Sequence, residues 1–167
     1  EPNEMGTALP FADLGGKAVR IEGKFWHTCA EMEDGRLKCW GYNAYGQLML
    51  GSNGNVGLSL SDTGENMKAA NVSSEPHQFL DIAMGAGNHS CVLIRTTSGT
   101  RLKCYGQNTY GVTGMGYGYI GNAIGHMGDA FNGVDLGTDE EAIQVSQGYS
   151  HTCALTKSRK IKCWGYN

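Results

Sequence analysis

The stretch His27-Thr28-Cys29-Ala30, followed after a polar turn by Leu37-Lys38-Cys39-Trp40-Gly41-Tyr42-Asn43, decides how this chain folds. Its two landmarks return at His89-Ser90-Cys91 with Lys103-Cys104-Tyr105-Gly106, and again at His151-Thr152-Cys153 with Lys162-Cys163-Trp164-Gly165. Successive histidines are 62 residues apart in both intervals. Internal repetition at a fixed period is the signature of propellers and solenoids, so the chain is a repeat protein.

A further landmark precedes the repeats. The segment Met5-Gly6-Thr7-Ala8-Leu9 is echoed by Met127-Gly128-Asp129-Ala130-Phe131, and the middle copy keeps Met67 and Ala70. The chain of 167 residues therefore holds about 2.7 copies, with approximate bounds 5–66, 67–126 and 127–167. Short strand patterns alternate with glycine-rich turns and helix signals are few, which predicts an all-β propeller segment over 1–167.

The six cysteines fall as one pair per repeat, separated by 10, 13 and 10 residues. If Cys29 faces Cys39 in an antiparallel hairpin, residues 33–35 form a three-residue loop, and Gly35 occupies its left-handed position. We therefore predict one disulfide within each hairpin, each stabilising the fold by roughly 2–3 kcal/mol on the loop-entropy model. In the third hairpin Arg159 stands where glycine is preferred, which predicts a strained turn. The predicted pairs are Cys29–Cys39, Cys91–Cys104 and Cys153–Cys163.

Two other readings of the cysteines stay open at this point. Zinc sites favour closely spaced cysteine pairs, and these gaps fit that pattern poorly. Reduced cysteines also pack well as small apolar side chains in a cytosolic protein. An even pair in every repeat favours disulfides and hence an oxidising compartment, so we expect a secreted protein located outside the cell or at its surface.

Taken together, these motifs resemble the regulator of chromosome condensation repeat. The Met-Gly-x-Ala-Leu segment is similar to the inter-repeat segment of secreted, cysteine-bearing members of that superfamily. The resemblance covers nearly the whole chain and implies blades of four antiparallel strands around an axis, usually seven to a ring. Two or three blades do not close such a ring. We therefore expect the remainder to lie elsewhere in a longer polypeptide, or neighbouring subunits to complete the propeller.

Composition and motifs indicate a binding protein rather than an enzyme. The net charge is −3 and the pI about 5.9, which gives no electrostatic footprint for nucleic acid. No apolar run is long enough for a membrane span. His27, His89 and His151 are repeat-equivalent, which makes them a structural signature rather than a metal triad. No nucleophile elbow or phosphate-binding loop is present, so we predict no catalytic residue, metal or cofactor.

We therefore predict a non-enzymatic extracellular scaffold for protein interaction or structural assembly. Its variable loops are the expected binding elements, with Tyr117, Tyr119 and His126 as anchors in the loop over 116–127. One alternative is lectin-like glycan binding by aromatic and amide side chains. Another is guanine-nucleotide exchange, which the resemblance implies through the family's nuclear founder, although the predicted disulfides and acidic charge oppose it.

The sequence also contains two acceptor motifs for N-glycosylation. Asn71-Val72-Ser73 lies in a predicted loop, which makes Asn71 the better candidate in a secreted glycoprotein. Asn88-His89-Ser90 adjoins a predicted strand, so we expect burial to hinder modification of Asn88.

Overall fold

The computed structural model describes residues 5–116 and 118–166. Across these residues the chain is all-β, with three antiparallel sheets of three strands, each sheet ordered as its strands follow in sequence. Five short 3-10 turns lie in the segments before and between the sheets. We call the sheets blades 1, 2 and 3. Blade 1 contains β1 (Ala18–Lys24), β2 (His27–Met32) and β3 (Leu37–Gly41); blade 2 contains β4 (His77–Gly85), β5 (His89–Thr96) and β6 (Gly99–Gly106); blade 3 contains β7 (Ala142–Gln147), β8 (His151–Thr156) and β9 (Ile161–Gly165).

The three predicted disulfides are confirmed. Cys29 pairs with Cys39 across β2 and β3, and the same register joins the cysteines of blades 2 and 3. In every pair the Cα atoms are 4.1 Å apart, so the hairpin itself brings the sulfur atoms together. All six cysteines are paired, which removes both the zinc and the free-thiol alternatives.

The hairpin turns follow the predicted chemistry. Gly35 closes the first turn with a φ of 83°, a left-handed conformation that glycine adopts at little steric cost. Arg159 takes the equivalent conformation in the third hairpin, with a φ of 63°. A side chain there clashes with its own backbone, so this turn is strained as the sequence predicts.

The strand count of each blade corrects the expectation of four strands. The fourth position is reduced to isolated bridges, in which Val56 pairs with Gly41 and Ile120 pairs with Gly106. Beyond each bridge the chain leaves the sheet and forms 3-10 turns, Leu60–Asp62 and Gly64–Asn66 in the first repeat. Glycine-rich segments of this kind have little strand propensity, which explains why a continuous fourth strand is absent from these blades.

Successive blades pack face to face. Cys29, Leu37 and Cys39 of blade 1 lie against Val92 and Ile94 of blade 2 in one buried cluster. The cysteine side of blade 2 lies in the same way against blade 3, in a second cluster with eight residues from the two sheets: Ala83, Cys91, Leu93, Leu102, Cys104, Ala142, Val145 and Ala154. The hydrophobic core therefore consists of two layers, one between blades 1 and 2 and one between blades 2 and 3. The disulfide of blade 1 lies in the first layer and that of blade 2 in the second.

In blades 1 and 2 a buried lysine fastens the sheet to the neighbouring chain segments. Lys38 Nζ donates to the carbonyl oxygens of Leu14 and Gly64, at 2.7 and 2.9 Å. Lys103 Nζ donates in the same way to the carbonyls of Val72 and Gly128, at 2.7 and 2.8 Å. Desolvation lowers the pKa of Lys103, and the two carbonyl oxygens compensate part of the cost of burying its charge. We refer to these residues as the lysine anchors.

The exposure of the cysteine residues predicts the order in which the disulfides are reduced. Cys29, Cys39, Cys91 and Cys104 are fully buried, whereas Cys163 is exposed and Cys153 is half-buried. Thiol attack requires access to a sulfur atom. Under native conditions we therefore expect a phosphine reductant followed by alkylation to label Cys153 and Cys163 first, as read by peptide mass mapping. Simultaneous labelling of all three pairs would contradict this order.

Candidate interaction surface

Exposed aromatic side chains concentrate at one end of the blades. This end carries the turn between the first and second strands of each blade and the segment that follows the third strand. We call it the aromatic end. Its side chains range from half-buried to well exposed, and Trp26 keeps 65% of its surface accessible. The described members are Phe25, Trp26, Tyr42, Tyr45, Tyr110, Tyr119, Tyr149 and Tyr166.

The Trp-Gly or Tyr-Gly step that recurs in each repeat positions the residues of this end. Gly41 ends β3 with a φ of 100°, and a Cβ there would lie 2.3 Å from the carbonyl oxygen of Trp26. Only glycine permits this approach, which lets the Tyr42 amide donate to that carbonyl at 2.8 Å. Gly106 and Gly165 make the same close approach in blades 2 and 3. The step therefore fixes the aromatic segments onto a rigid strand end.

Two repeat-equivalent asparagines shape the loops that follow. The Asn43 side-chain amide donates to the carbonyls of Ser52 and Gly54, and its oxygen accepts from the Leu48 amide at 2.9 Å. Asn108 repeats this pattern in the second loop, where its oxygen accepts from the Thr113 amide. Both asparagines are buried. They hold each loop closed on the strand end and so position it. Functional reasoning from the sequence missed these two asparagines, although both belong to the repeated motif.

The aromatic rings contact one another in three groups. Phe25 lies edge-to-face against Trp26 and Tyr149, with ring centroids 6.0 and 6.2 Å apart. Tyr45 contacts Tyr119 from the following repeat at 4.9 Å. The third group is Tyr110 with Tyr166, and Tyr42 contacts Tyr45 within the second group. Three contacts therefore bridge different blades, Phe25–Tyr149, Tyr45–Tyr119 and Tyr110–Tyr166, so the blades present one joint surface rather than isolated side chains.

Two cavities open at the aromatic end, one at each blade junction. The first, of about 420 Å³, is lined by Trp26, Gly41, Tyr42, Asn55, Leu58 and Asn88. The second, of about 240 Å³, is lined by the equivalent turn of blade 3 and by the loop after β6, including Gln107, Tyr110 and Tyr149. The lining of both cavities is uncharged. These junctions can hold apolar groups and offer amide hydrogen bonds to an uncharged ligand.

The repeated histidines lie beneath this surface. His27 is buried and its Nε2 is 2.9 Å from the Ser90 hydroxyl oxygen of the next blade. Burial lowers the pKa of His27 to about 4. Burial also lowers the pKa of His89 to about 4, with further lowering from the nearby His27 and His151. Both buried imidazoles are neutral at physiological pH, which fits the structural role predicted for them.

The predicted anchors of the partner-binding loop separate in the structure. Tyr119 belongs to the aromatic end through its contact with Tyr45. His126 lies in the 3-10 turn Ile124–His126, and across the part of the chain that the structure describes no hydrogen bond or ring contact joins it to Tyr119. Tyr117 lies outside the described residues. The aromatic end thus contains Tyr119 and several aromatic residues that sequence reasoning did not select for binding.

The two glycosylation motifs differ in exposure. Asn71 is exposed in the loop before blade 2, whereas Asn88 is half-buried and takes a φ of 60° between β4 and β5. Modification of Asn71 stays a prediction. The burial of Asn88 agrees with the hindrance expected at that site.

Several ionisable groups outside the histidine region form ion pairs or accept hydrogen bonds from hydroxyl and backbone groups. Asp129 accepts from Ser73 and Ser74, and these hydrogen bonds lower the pKa of its carboxyl group. Within residues 5–116 and 118–166, no group of three His, Cys, Asp or Glu side chains is placed to hold a metal ion. A search of the same residues finds no helix with the length and apolar character needed to cross a membrane.

Comparison with known proteins finds sequence similarity to one repeat family. The model of the regulator of chromosome condensation (RCC1) repeat matches residues 19–47 and 142–167, which are the hairpins of blades 1 and 3. The ultraviolet-B receptor UVR8 of Arabidopsis thaliana is 29% identical over 141 residues, 84% of this chain. This chain is similar in sequence to RCC1-repeat proteins.

Solved structures show the same similarity at the level of the fold. Yeast RCC1 (Prp20), in a structure bound to Kap60, superposes with a TM-score of 0.61 at 18% identity over 89% of the chain. Human WBSCR16 gives a TM-score of 0.62 at 16% identity over 92% of the chain. The RCC1-like chain spans 28% of UVR8 and 32% and 34% of these two structures, so it corresponds to about a third of its relatives.

Proposed function

We propose that this RCC1-like chain is a non-enzymatic extracellular scaffold whose aromatic end binds a protein partner. The observation that carries the proposal is the cluster of exposed aromatic rings held on rigid, disulfide-bonded blades. Aromatic side chains are enriched at protein interfaces because they offer large contact area at a low cost in side-chain entropy. Three disulfides support an oxidising location such as the extracellular space or the cell surface.

Protein binding by relatives supports the same proposal. Yeast RCC1 is bound to the protein Kap60 in the structure that resembles this chain. The uncharged lining of the two junction cavities favours a partner segment with exposed apolar side chains and free backbone amides. Asn71, the better candidate of the two glycosylation motifs, is exposed in the loop before blade 2 and is not a member of the aromatic end.

Substitution of the aromatic end tests the proposed function. We expect Tyr119→Ala to weaken binding of partners captured from the extracellular fluid of the source organism by about 30-fold, as for an interface hot spot. Trp26→Ala should act similarly, because it removes a wall of the larger cavity. Affinity is measured by surface plasmon resonance with each captured protein.

A matched control separates this effect from general loss of surface aromatics. Phe11 is fully exposed outside the aromatic end, so Phe11→Ala should leave both binding and thermal stability unchanged. Equal affinity of the Tyr119 and Trp26 variants and the unaltered protein for every captured partner would refute the role of the aromatic end.

Glycan binding is the second candidate function. Trp26 and Tyr42 flank the larger cavity together with the amides of Asn55 and Asn88, a combination that suits the apolar faces and hydroxyl groups of sugars. Binding to a glycan array that is lost in Trp26→Ala would favour this function over protein binding.

A further inference from the structure

The loop over 50–57 forms a wall that two cavities share. The cavity of about 420 Å³ at the junction of blades 1 and 2 has Asn55 in its lining. A further cavity of about 470 Å³ is also lined by Asn55, together with Leu50, Val56 and Met67. Because one loop borders both spaces, a change in its backbone alters both cavities at once.

Hydrogen bonds hold this loop on either side of Asn53. The side-chain amide of the buried Asn43 donates to the carbonyl oxygens of Ser52 and Gly54, at 2.9 and 3.0 Å. The main-chain amide of Asn43 donates to the side-chain oxygen of Asn55 at 2.9 Å. Asn53 itself is exposed at the tip of the loop. The two carbonyl groups that flank Asn53 therefore share one donor group, and their spacing depends on the length of the backbone between them.

Exposure of the loop tip is a property of the repeat. In the second repeat the Asn108 side-chain amide donates to the carbonyl oxygens of Met115 and Gly116, and Gly116 is exposed. Blade 2 has a neighbouring blade on both sides, so this exposure does not come from an uncovered blade. The exposure of Asn53 therefore belongs to the loop and not to the position of blade 1 in the chain.

Asn53 is followed by glycine, the residue that least hinders a reaction between an asparagine side chain and the next main-chain amide. That reaction closes a ring, and a side chain on the following residue would crowd the attacking nitrogen. The sequence contains the Asn-Gly pair twice, at 53–54 and at 132–133. Asn132 is exposed as well, so exposure alone does not distinguish the two pairs.

The surroundings of the two glycines do distinguish them. A Cβ atom at Gly54 would meet no atom within 4 Å, and among the described residues no hydrogen bond holds the Gly54 amide. Gly133 has a φ of 100°, and a Cβ there would lie 2.7 Å from the Leu102 carbonyl oxygen. The Val134 amide, next in the chain, donates to the same carbonyl at 2.7 Å. The backbone is therefore open for ring closure at the first pair and fixed against β6 at the second.

We propose that Asn53 is a site of spontaneous deamidation, with water as the co-reactant. The Gly54 amide nitrogen loses its proton and attacks the side-chain carbonyl carbon of Asn53, and the side-chain nitrogen takes up a proton and leaves as ammonia. Water then adds to either carbonyl carbon of the resulting cyclic imide, and the bond from that carbon to the ring nitrogen breaks. Attack at the side-chain carbon leaves aspartate at position 53, and attack at the main-chain carbon leaves isoaspartate.

Isoaspartate at this position loosens the loop wall. Its main chain runs through the former side chain, so one methylene group is added between Ser52 and Gly54. The Asn43 amide then cannot keep both flanking carbonyl oxygens at hydrogen-bond distance. The bridge between Val56 and Gly41, which closes the loop, loses part of its support. This consequence goes beyond the proposed function, because it concerns the loop whether or not a partner is bound.

Peptide mapping of the incubated, oxidised protein tests the site. At mildly alkaline pH we expect deamidation at Asn53 to be at least about tenfold faster than at Asn132, because ring closure depends on how freely the reacting groups can be positioned. In the reduced and alkylated chain the two pairs should react at similar rates. In the folded protein, a rate at Asn132 equal to or above the rate at Asn53 would overturn the proposal.

Gly54→Ala provides a matched variant that keeps the fold. Gly54 has no positive φ and its Cβ would meet open space, so alanine fits the loop without strain. Its methyl group crowds the attacking nitrogen, and we expect deamidation at position 53 to slow at least about tenfold while the rate at Asn132 stays unchanged. An unaltered rate at position 53 in this variant would contradict the ring-closing route.

Hydrogen exchange measures the effect on the loop. The Val56 amide donates to the Gly41 carbonyl oxygen at 3.1 Å. In protein converted to isoaspartate at position 53, we expect this amide to exchange about tenfold faster, which corresponds to the loss of about one hydrogen bond. Asn53→Gln closes a larger ring far more slowly, so after the same incubation it should keep the exchange rate of fresh protein.

Asn53→Asp separates charge from backbone length. It adds the carboxylate without the extra methylene group and should change exchange at Val56 less than isoaspartate does. Unchanged exchange at Val56 in fully converted protein would refute the loosening of the wall. None of these measurements uses a partner, so their outcome is independent of binding at the aromatic end.

Discussion

Reduction of all three disulfides is expected to lower the free energy of unfolding by about 8 kcal/mol. Each disulfide closes a loop of 10 or 13 residues, and restriction of the unfolded chain by such a loop contributes about 3 kcal/mol. Because single domains are stable by only about 5–15 kcal/mol, the reduced chain should be largely unfolded at 37 °C. Urea unfolding monitored by tryptophan fluorescence, with and without reductant, measures the difference.

Paired alanine variants provide the control. The double variant Cys153→Ala with Cys163→Ala removes a partly exposed disulfide and should cost about 3 kcal/mol. The double variant Cys91→Ala with Cys104→Ala also empties a fully buried site between blades 2 and 3, which adds ~1 kcal/mol or more. Equal costs for the two double variants, or a reduced chain as stable as the oxidised one, would show that the disulfides do not contribute in this way.

Acidification from pH 7 to pH 5 is expected to destabilise the fold by about 4 kcal/mol. His27 and His89 have an ordinary pKa of 6.5 in the unfolded chain, and burial lowers the pKa of each to about 4 in the folded protein. Between these values the unfolded chain binds protons that the folded protein excludes, so stability falls as the pH falls. At pH 5 the loss is about 2 kcal/mol for each histidine.

The pH slope of the free energy of unfolding isolates the histidines. His27→Gln and His89→Gln should each remove about half of the difference between pH 7 and pH 5, whatever their effect on stability at a single pH. His151 is exposed and acts on this window through its lowering of the pKa of His89, so His151→Gln, the repeat-equivalent comparison, should change the difference less than either buried histidine does. Hydrogen bonds lower the pKa values of the Glu75 and Asp129 carboxyl groups. The stability that these groups contribute is lost at a lower pH, so it does not obscure the change between pH 7 and pH 5. A flat profile between pH 7 and pH 5 would contradict the prediction.

The features that repeat in sequence were the ones that could be predicted. Cysteines on directly opposed hairpin positions need only strand alternation and turn length, so Cys29–Cys39 and its two equivalents follow from spacing alone. The left-handed turn at Arg159 follows from the same alignment.

Features that depend on how the loops fold could not be predicted from the sequence. The fourth strand is lost because the segment after Val56 turns away from the sheet, and no local motif marks that departure. The aromatic end arises from contacts such as Phe25 with Tyr149, which are more than a hundred residues apart in the chain. His126 and Tyr119 are close in sequence, yet among the described residues only Tyr119 contacts another ring of the aromatic end, and His126 lies in the 3-10 turn Ile124–His126. Long-range proximity of this kind requires coordinates.

The lysine anchors bear on how such a protein evolves. Lys38 and Lys103 each donate to two main-chain carbonyls, so neither contact needs an acceptor side chain. A duplicated repeat therefore carries its own covalent bridge and a means of attachment that requires no matching side chain. Gain or loss of a whole unit by unequal recombination is tolerated by this architecture, while the loops of each unit remain free to diverge in sequence.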